Sequence, residues 1–143
     1  MKTKILFAFL LAASAAFCTP VKLTNVQANE LLNALTQIGP GLSAQNTTRL
    51  ARDINTLRPL VEAWVKGDQA ARERLKITST TKSDAPEGAA YLAEVKRNND
   101  DSSTVELLTV TVSDDEITAA KVTPAILSTV LLYLSEPSAK AAK

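Results

Sequence analysis

The 143-residue chain contains no histidine and a single cysteine, Cys18. Its own residues therefore cannot build a Cys/His zinc site, an internal disulfide or a histidine-dependent catalytic triad. Glycine is also scarce, and the four glycines do not form a phosphate-binding loop. These absences exclude most familiar enzyme classes, so we expect no catalysis, no cofactor and no metal ion.

Aromatic residues are few, and they are unevenly distributed. The chain has three phenylalanines, one tryptophan and two tyrosines, and all three phenylalanines precede residue 19. With 45% hydrophobic and 22% charged residues, the chain has the balance of one that folds, and its length suits one domain. We therefore expect an aliphatic core.

The first eighteen residues have the composition of a secretory signal peptide. Two lysines precede the apolar run Ile5–Ala13, and small residues follow it, with cleavage sites after Ala16 and after Cys18. The run is too short to span a bilayer, because a membrane-spanning helix needs about 20 apolar residues. The sequence thus predicts a signal peptide over residues 1–18, no membrane span, and a periplasmic or secreted protein. The alternative is a cytoplasmic protein that retains this segment.

Cys18 is also the residue that a lipoprotein signal would acylate. Lipoprotein sites have a small residue before the cysteine, and Phe17 departs from that pattern, which argues against a lipid anchor. Removal of the signal takes Lys2 and Lys4 but no acidic residue, so the formal net charge changes from +1 to −1. Basic residues within 49–76 spread around the polar faces of a predicted helix. We therefore expect no nucleic-acid binding.

The segment 24–76 begins with a helix signal. Thr24 and Gln27 have the spacing of a capping box, in which each side chain bonds the other residue's backbone. Apolar residues at helical spacing then predict a helix over Asn25–Ile38, which Gly39-Pro40-Gly41 ends.

A second predicted helix follows a cap at Ser43. Pro59 lies opposite its apolar stripe, where a proline bends a helix without entering the core. Gly67-Asp68 predicts an interruption before a last stretch through Leu75. The stripe consists of Leu50, Ile54, Leu57, Val61 and Trp64, and we expect Trp64 to lie at the centre of the core.

The segment 77–137 has mixed character. The predicted elements are strand-like content at 77–81, a short helix at 89–96, a flexible polar run at 98–103, strands at 104–112 and 117–122, and a helix from Thr123-Pro124 to Leu134. In the first of these strands the alternation slips in phase near Leu107, which indicates a bulge or burial of both faces. The last helix has little polar surface, so we expect it to be buried or to lie between partners.

Together these elements predict an α+β fold in a single domain over residues 21–137. It comprises an N-terminal antiparallel helical hairpin at 24–76, a small two- or three-stranded sheet and a buried C-terminal helix, the last two within the mixed part at 77–137. Residues 138–143 are expected to form a flexible tail.

Two polar segments are candidates for function. The predicted loop residues Asn98, Asn99, Asp100 and Asp101 form a candidate interaction surface. The acidic run Asp114–Glu116 could bind calcium or act in hydrolysis, but the alternating pattern of a calcium loop with its central glycine is missing. We interpret the acidic run as a charged turn.

Three segments resemble small uncharacterised proteins of tailed-phage and prophage gene clusters. The opening 22–35 reads K-L-T followed by an amphipathic helix rich in Leu, Asn and Ala, and the similarity continues in 50–63 and 122–131. The resemblance implies a small accessory or assembly protein without known catalysis. Those proteins begin near K-L-T and have no signal peptide, whereas twenty residues precede Val21 here. A product that started at Val21 would be cytoplasmic.

The sequence therefore favours a non-enzymatic, exported interaction or structural module, a phage-like accessory protein with an unknown protein partner or with itself as partner in a homo-oligomer. One alternative is a binder of a small ligand, or an inhibitor of another enzyme, that uses the 98–103 segment. A second is a cytoplasmic phage assembly accessory, if residues 1–20 do not act as a signal.

Overall fold

The computed structural model describes residues 18–38 and 40–134, with side chains described up to Leu131. Within these ranges the fold is mixed α and β, with five helices and one two-stranded antiparallel sheet. The predicted signal peptide up to residue 17 and the predicted tail at 138–143 lie outside the described residues. No helix in the described ranges is both long and apolar enough to cross a membrane.

The sheet joins the start of the described chain to its second half. Strand β1 (Cys18–Thr24) pairs with strand β2 (Ser102–Leu108), and Cys18 lies opposite Leu108. In both strands the more buried residues alternate with exposed ones, such as Leu23 after Lys22. One face of the sheet therefore covers the core and the other faces solvent.

The strand predictions are partly correct. β2 occupies the first half of the predicted strand at 104–112 but ends at Leu108. Every residue from Leu107 to Val110 is buried, so the slip in alternation coincides with the chain leaving the sheet. The sequence patterns predict no strand at the position of β1. Residues 77–81 form no strand and include a turn at 79–80. The predicted strand at 117–122 is wrong, because a helix begins at Asp114.

The first helix, α1 (Asn25–Thr36), begins as the sequence predicts. The Gln27 backbone N–H donates to the Thr24 hydroxyl at 3.2 Å, and the Thr24 N–H donates to the Gln27 side chain at 2.9 Å. The capping box thus satisfies two of the backbone donors that a helix start leaves free. The helix ends two residues before the predicted end at Ile38.

The second helix, α2 (Ala44–Arg74), is one continuous helix with Pro59 inside it. Ser43 caps it, accepting from the Asn46 N–H at 3.3 Å. The predicted interruption at Gly67-Asp68 is wrong. A glycine inside a helix costs only about 1 kcal/mol relative to alanine, and packing against a neighbouring helix offsets that cost here.

That neighbour, helix α3 (Pro86–Asp100), is longer than the predicted helix at 89–96 and begins with Pro86 in its first turn. Two shorter helices follow β2: α4 (Asp114–Ala119) and α5 (Pro124–Leu134). Since α3 runs to Asp100 and β2 starts at Ser102, the predicted flexible loop at 98–103 is wrong.

The hydrophobic core of the described residues is aliphatic. Its members come from β1, α1, α2, β2, the segment after β2, and α5, and they are Leu23, Ala28, Leu31, Ala34, Leu35, Leu50, Leu57, Leu107, Val110 and Val130. Trp64 does not belong to this cluster; it is half-buried between α2 and α3. Helix α5 is less buried than predicted, because Val130 is buried whereas Leu131 is 40% exposed.

Candidate functional site

The helices α2 and α3 hold the two aromatic side chains described beyond residue 18, Trp64 and Tyr91. We call the surface formed by the second half of α2 and by α3 the α2–α3 face. Trp64 contacts the end of α3 through Asn99, whereas Asp68, one turn later in α2, contacts Tyr91 near its start. The two helices therefore run in opposite directions across this face.

Hydrogen bonds fix Trp64 in position. Its indole N–H donates to the Asn99 side-chain oxygen at 3.1 Å, and the Asn98 amide donates to the Trp64 carbonyl oxygen at 3.3 Å. Tryptophan requires a partner for its N–H when it is partly buried, and the end of α3 provides one. This requirement explains why Trp64 lies at the helix junction instead of in the aliphatic core.

Tyr91 is held in a second polar cluster. Its hydroxyl donates to Asp68 at 2.6 Å, Arg72 donates to the same carboxylate at 2.8 Å, and the Arg72 guanidinium lies 5.2 Å from the centre of the Tyr91 ring. The hydrogen bond from Tyr91 and the contact with Arg72 lower the pKa of Asp68. Burial, followed by the bond to Asp68, raises the pKa of Tyr91. Asp68 is therefore ionised, and its carboxylate holds the Tyr91 ring and the Arg72 guanidinium in position.

A small cleft lies between these two clusters. Its volume is about 100 Å³, and its lining residues are Gly67, Asp68, Ala71, Glu94, Val95, Arg97, Asn98 and Asp101. Glu94 forms ion pairs with Arg74 and, at 3.8 Å, with Arg97. Three carboxylates and one guanidinium line the cleft. Since Asp68 is paired with Arg72 and Glu94 with Arg74, Asp101 is the lining carboxylate without an arginine partner among the described residues.

The predicted interaction surface at 98–101 lies at the edge of this face, but as helix instead of loop. Asn98, Asn99 and Asp100 form the last turn of α3, and Asp101 follows it. The Asn25 side chain donates to the Asn98 carbonyl oxygen at 2.6 Å, which ties this turn to the start of α1. Asn98 and Asp101 line the cleft, whereas Asp100 points to solvent.

The remaining candidates lie elsewhere. Cys18 is an exposed, free thiol at the start of β1. In the acidic run, Asp114 and Asp115 are exposed in the first turn of α4. Among the described residues no group of three or more Cys, Asp or Glu side chains is arranged to hold a metal ion.

Glu116 joins α4 to the start of α2. Its carboxylate accepts from the Ser43 N–H at 2.6 Å, from the Ser113 N–H at 3.0 Å and from the Asn46 amide at 3.1 Å. The backbone donors of Ser113 and Ser43 lower the pKa of Glu116 to about 2. Since these bonds occupy both carboxylate oxygens, the geometry assigns Glu116 to capping.

We expect the substitution Glu116→Gln to destabilise the protein at neutral pH. Because the folded-state pKa is depressed, the contribution of Glu116 is present above about pH 4.5 and disappears as the pH falls towards 2. The difference in melting temperature between the variant and the wild type should therefore shrink as pH falls through this window. Asp115→Asn, on the exposed side of the same helix turn, is the control. An equal loss in both variants would contradict the capping role.

Comparison with known proteins found no matching family model, no similar curated protein and no similar solved structure.

Proposed function

We propose that this chain is an exported, non-enzymatic protein-binding module that docks a protein partner on its α2–α3 face. The observation that carries the proposal is the placement of Trp64 and Tyr91 on this face, outside the aliphatic core. Tryptophan, tyrosine and arginine are the residues that most often supply the binding energy of protein interfaces.

The polar contacts of these aromatic residues favour recognition. Trp64 is bonded to Asn99 and Tyr91 to Asp68, so neither ring is free to change rotamer without losing a hydrogen bond. A rigid side chain loses little conformational entropy when a partner binds. The face is therefore pre-organised for binding.

Exposed apolar residues accompany the aromatic ones. Val65 on α2 and Leu92 on α3 are each 52% exposed, although both are large aliphatic residues. Val65 lies three residues before Asp68 and seven before Arg72, which places all three on one side of the helix. Removal of this apolar surface from water would stabilise a complex by about 25 cal/mol per Å².

The rest of the fold supports the face in this proposal. Core residues Ala34 and Leu35 of α1 share one cluster with Leu50 and Leu57 of α2. We take these two helices as the antiparallel hairpin that the sequence predicts, and as the rigid base that fixes the second half of α2.

The extent of strand β1 indicates where the mature chain starts. Cleavage after Ala16 would leave all seven residues of β1 in the mature protein, whereas a cytoplasmic product that started at Val21 would lose the pairs made by Cys18, Thr19 and Pro20. We therefore favour a mature start at Phe17 over the product that starts at Val21.

A small-ligand binder is the second candidate, and the cleft between α2 and α3 favours it. Among the described residues, Asp101 is the lining carboxylate without an arginine partner, and it borders a space of about 100 Å³. A small cation, such as a primary amine, has the charge and size for this site. The same cleft could accept a basic side chain of a protein partner.

The test is photo-cross-linking in the producing cell, with a photoreactive residue in place of Leu92. We expect one adduct of defined mass, found outside the cytoplasm. In this adduct our chain itself should start at Phe17, as its intact mass would show. A second substitution, Val65→Asp, should reduce the adduct at least tenfold, because it places a charge in the docking surface without disturbing a buried residue.

The matched control carries the photoreactive residue at Thr56, which is exposed on α2 before the face begins. No adduct should form there. Equal adducts at Leu92 and Thr56, or none at Leu92, would refute the proposed face. An adduct of twice the chain mass would identify the partner as a second copy of this protein.

A further inference from the structure

Asp53 is a carboxylate inside the hydrophobic core. It lies on α2 between the buried residues Leu50 and Leu57, and it is 1% exposed. Its Oδ1 atom accepts a hydrogen bond from the Leu108 N–H at 2.8 Å. Its Oδ2 atom has no hydrogen-bond partner within the described part of the chain. An ionised carboxylate with an unbonded oxygen in an aliphatic core is strongly unfavourable.

Few charges are available to compensate Asp53. On α2, Arg52 is adjacent in sequence and exposed, and the Arg49 guanidinium donates to the Thr109 carbonyl oxygen at 2.9 Å. The elements packed around the core contribute no buried charge in their described residues: Lys22 of β1, Glu106 of β2 and Glu30 of α1 are exposed, and α5 carries no charged residue.

Burial is therefore the dominant influence on Asp53. It raises the pKa of the Asp53 carboxyl group to about 6, while the Leu108 N–H and the charge of Arg52 act in the opposite direction. A neutral carboxyl group can stay in an apolar site at much lower cost than an ionised one. The folded protein thus favours the protonated form of Asp53 in mildly acidic solution.

The bond to Leu108 lies at the point where the chain leaves the sheet. Leu108 is the last residue of β2 and the register partner of Cys18, and the residues from Leu108 to Val110 are buried against α2. Leu108 thus contacts the carboxyl group directly. For water to reach the Oδ2 atom of an ionised Asp53, an element packed on α2 must move away, and the end of β2 is such an element.

We propose that Asp53 is a proton-operated latch: while its carboxyl group is neutral, the segment Leu108–Val110 stays packed on α2, and ionisation near neutral pH favours release of the segment because the buried carboxylate then requires hydration. Because β1 pairs with β2 up to Leu108, release would also loosen the start of β1. The protein is then more firmly closed in a mildly acidic environment than at neutral pH.

The composition of the chain allows the pH dependence caused by Asp53 to be measured without interference from other side chains. With no histidine, no other side chain ordinarily titrates between pH 5 and 7. Since the folded-state pKa of Asp53 is raised, its contribution favours the closed form at low pH and is lost as pH rises through about 6. The effect is opposite in sign to that of Glu116, and between pH 5 and 7 it is measured above the range in which Glu116 titrates.

The experiment is amide hydrogen exchange of the full chain at pH 5 and pH 7, corrected for intrinsic exchange rates. In the wild type, the opening constant of the Leu108–Val110 amides should be roughly tenfold larger at pH 7 than at pH 5. In Asp53→Asn, which keeps the shape and loses the charge, it should change less than about threefold. Glu62→Gln, an exposed acid of the same helix, should behave as the wild type.

Two results would overturn the latch. One is equal pH dependence in Asp53→Asn and the wild type. The other is a uniform change over all amides, including that of Leu57, which would place the effect on global unfolding instead of on this segment. If Asp53→Asn does not fold, the test rests on the wild type. An increase in the opening constant that is confined to the Leu108–Val110 amides and has its midpoint near pH 6 supports the latch, and the absence of such an increase refutes it.

Discussion

Truncation of Leu57 to alanine should destabilise the fold by about 3–5 kcal/mol, because the removed atoms leave a cavity that the surrounding core fills only in part. Leu57 is 0% exposed and lies on α2 within the aliphatic cluster, together with Leu31 of α1 and Leu107 of β2. Such a loss is a large fraction of the total stability of a typical domain, which is about 5–15 kcal/mol.

Urea unfolding followed by circular dichroism measures this loss as a lower midpoint with an unchanged slope. Leu92→Ala makes the same chemical change on an exposed side of α3, and we expect it to lower the free energy of unfolding by less than about 1 kcal/mol. Similar losses in the two variants would mean that Leu57 does not lie at the centre of the core.

The apolar stripe that identifies Leu57 could be found from the sequence, whereas the centre of the core could not. The spacing of Leu50, Leu57 and Trp64 places all three on one side of α2, and the sequence predicts Trp64 as the central residue. Trp64 lies outside the core instead, because its indole N–H donates a hydrogen bond to the Asn99 side chain at the end of α3. Such a partner is invisible until the two helices are placed against each other.

The strands also show which features depend on neighbouring residues and which depend on residues far apart in the sequence. Helix α4 has a complete capping box between Ser113 and Glu116, and these local bonds override the β-branched residues that suggested a strand at 117–122. Strand β1 depends on pairing with residues 78 to 90 positions away, from Thr24 opposite Ser102 to Cys18 opposite Leu108. Local patterns cannot reveal such a partner, and the composition of this region is also typical of a signal cleavage site.

The candidate sites divide in the same way. The sequence predicts a loop for the polar run at 98–101. Asn98 and Asp101 do line the cleft, but from the last turn of a helix and its cap. The sequence also contains a signal for Asp53, since it lies three residues after Leu50 and four before Leu57 and so falls on the apolar stripe. An acidic residue at such a position predicts a buried carboxylate.

Two glycines in helices should respond to alanine with opposite signs. At Gly88, in the first turns of α3, an added Cβ atom would lie 2.0 Å from the Lys82 carbonyl oxygen and 3.0 Å from its carbonyl carbon. Backbone atoms cannot rotate away as a side chain can, so the turn before α3 must shift. We expect Gly88→Ala to destabilise the protein by about 3 kcal/mol.

Gly67→Ala is the matched variant, because the same methyl group enters a helix where space is available. Its Cβ atom would meet only the Asn98 side chain, at 3.5 Å, an ordinary contact. Alanine loses less backbone entropy in a helix than glycine does, so this variant should be stabilised by about 0.5–1 kcal/mol. The midpoints of urea unfolding should therefore move in opposite directions from the wild type. A loss of stability at Gly67 as well would indicate that α2 does not run as a regular helix through this position.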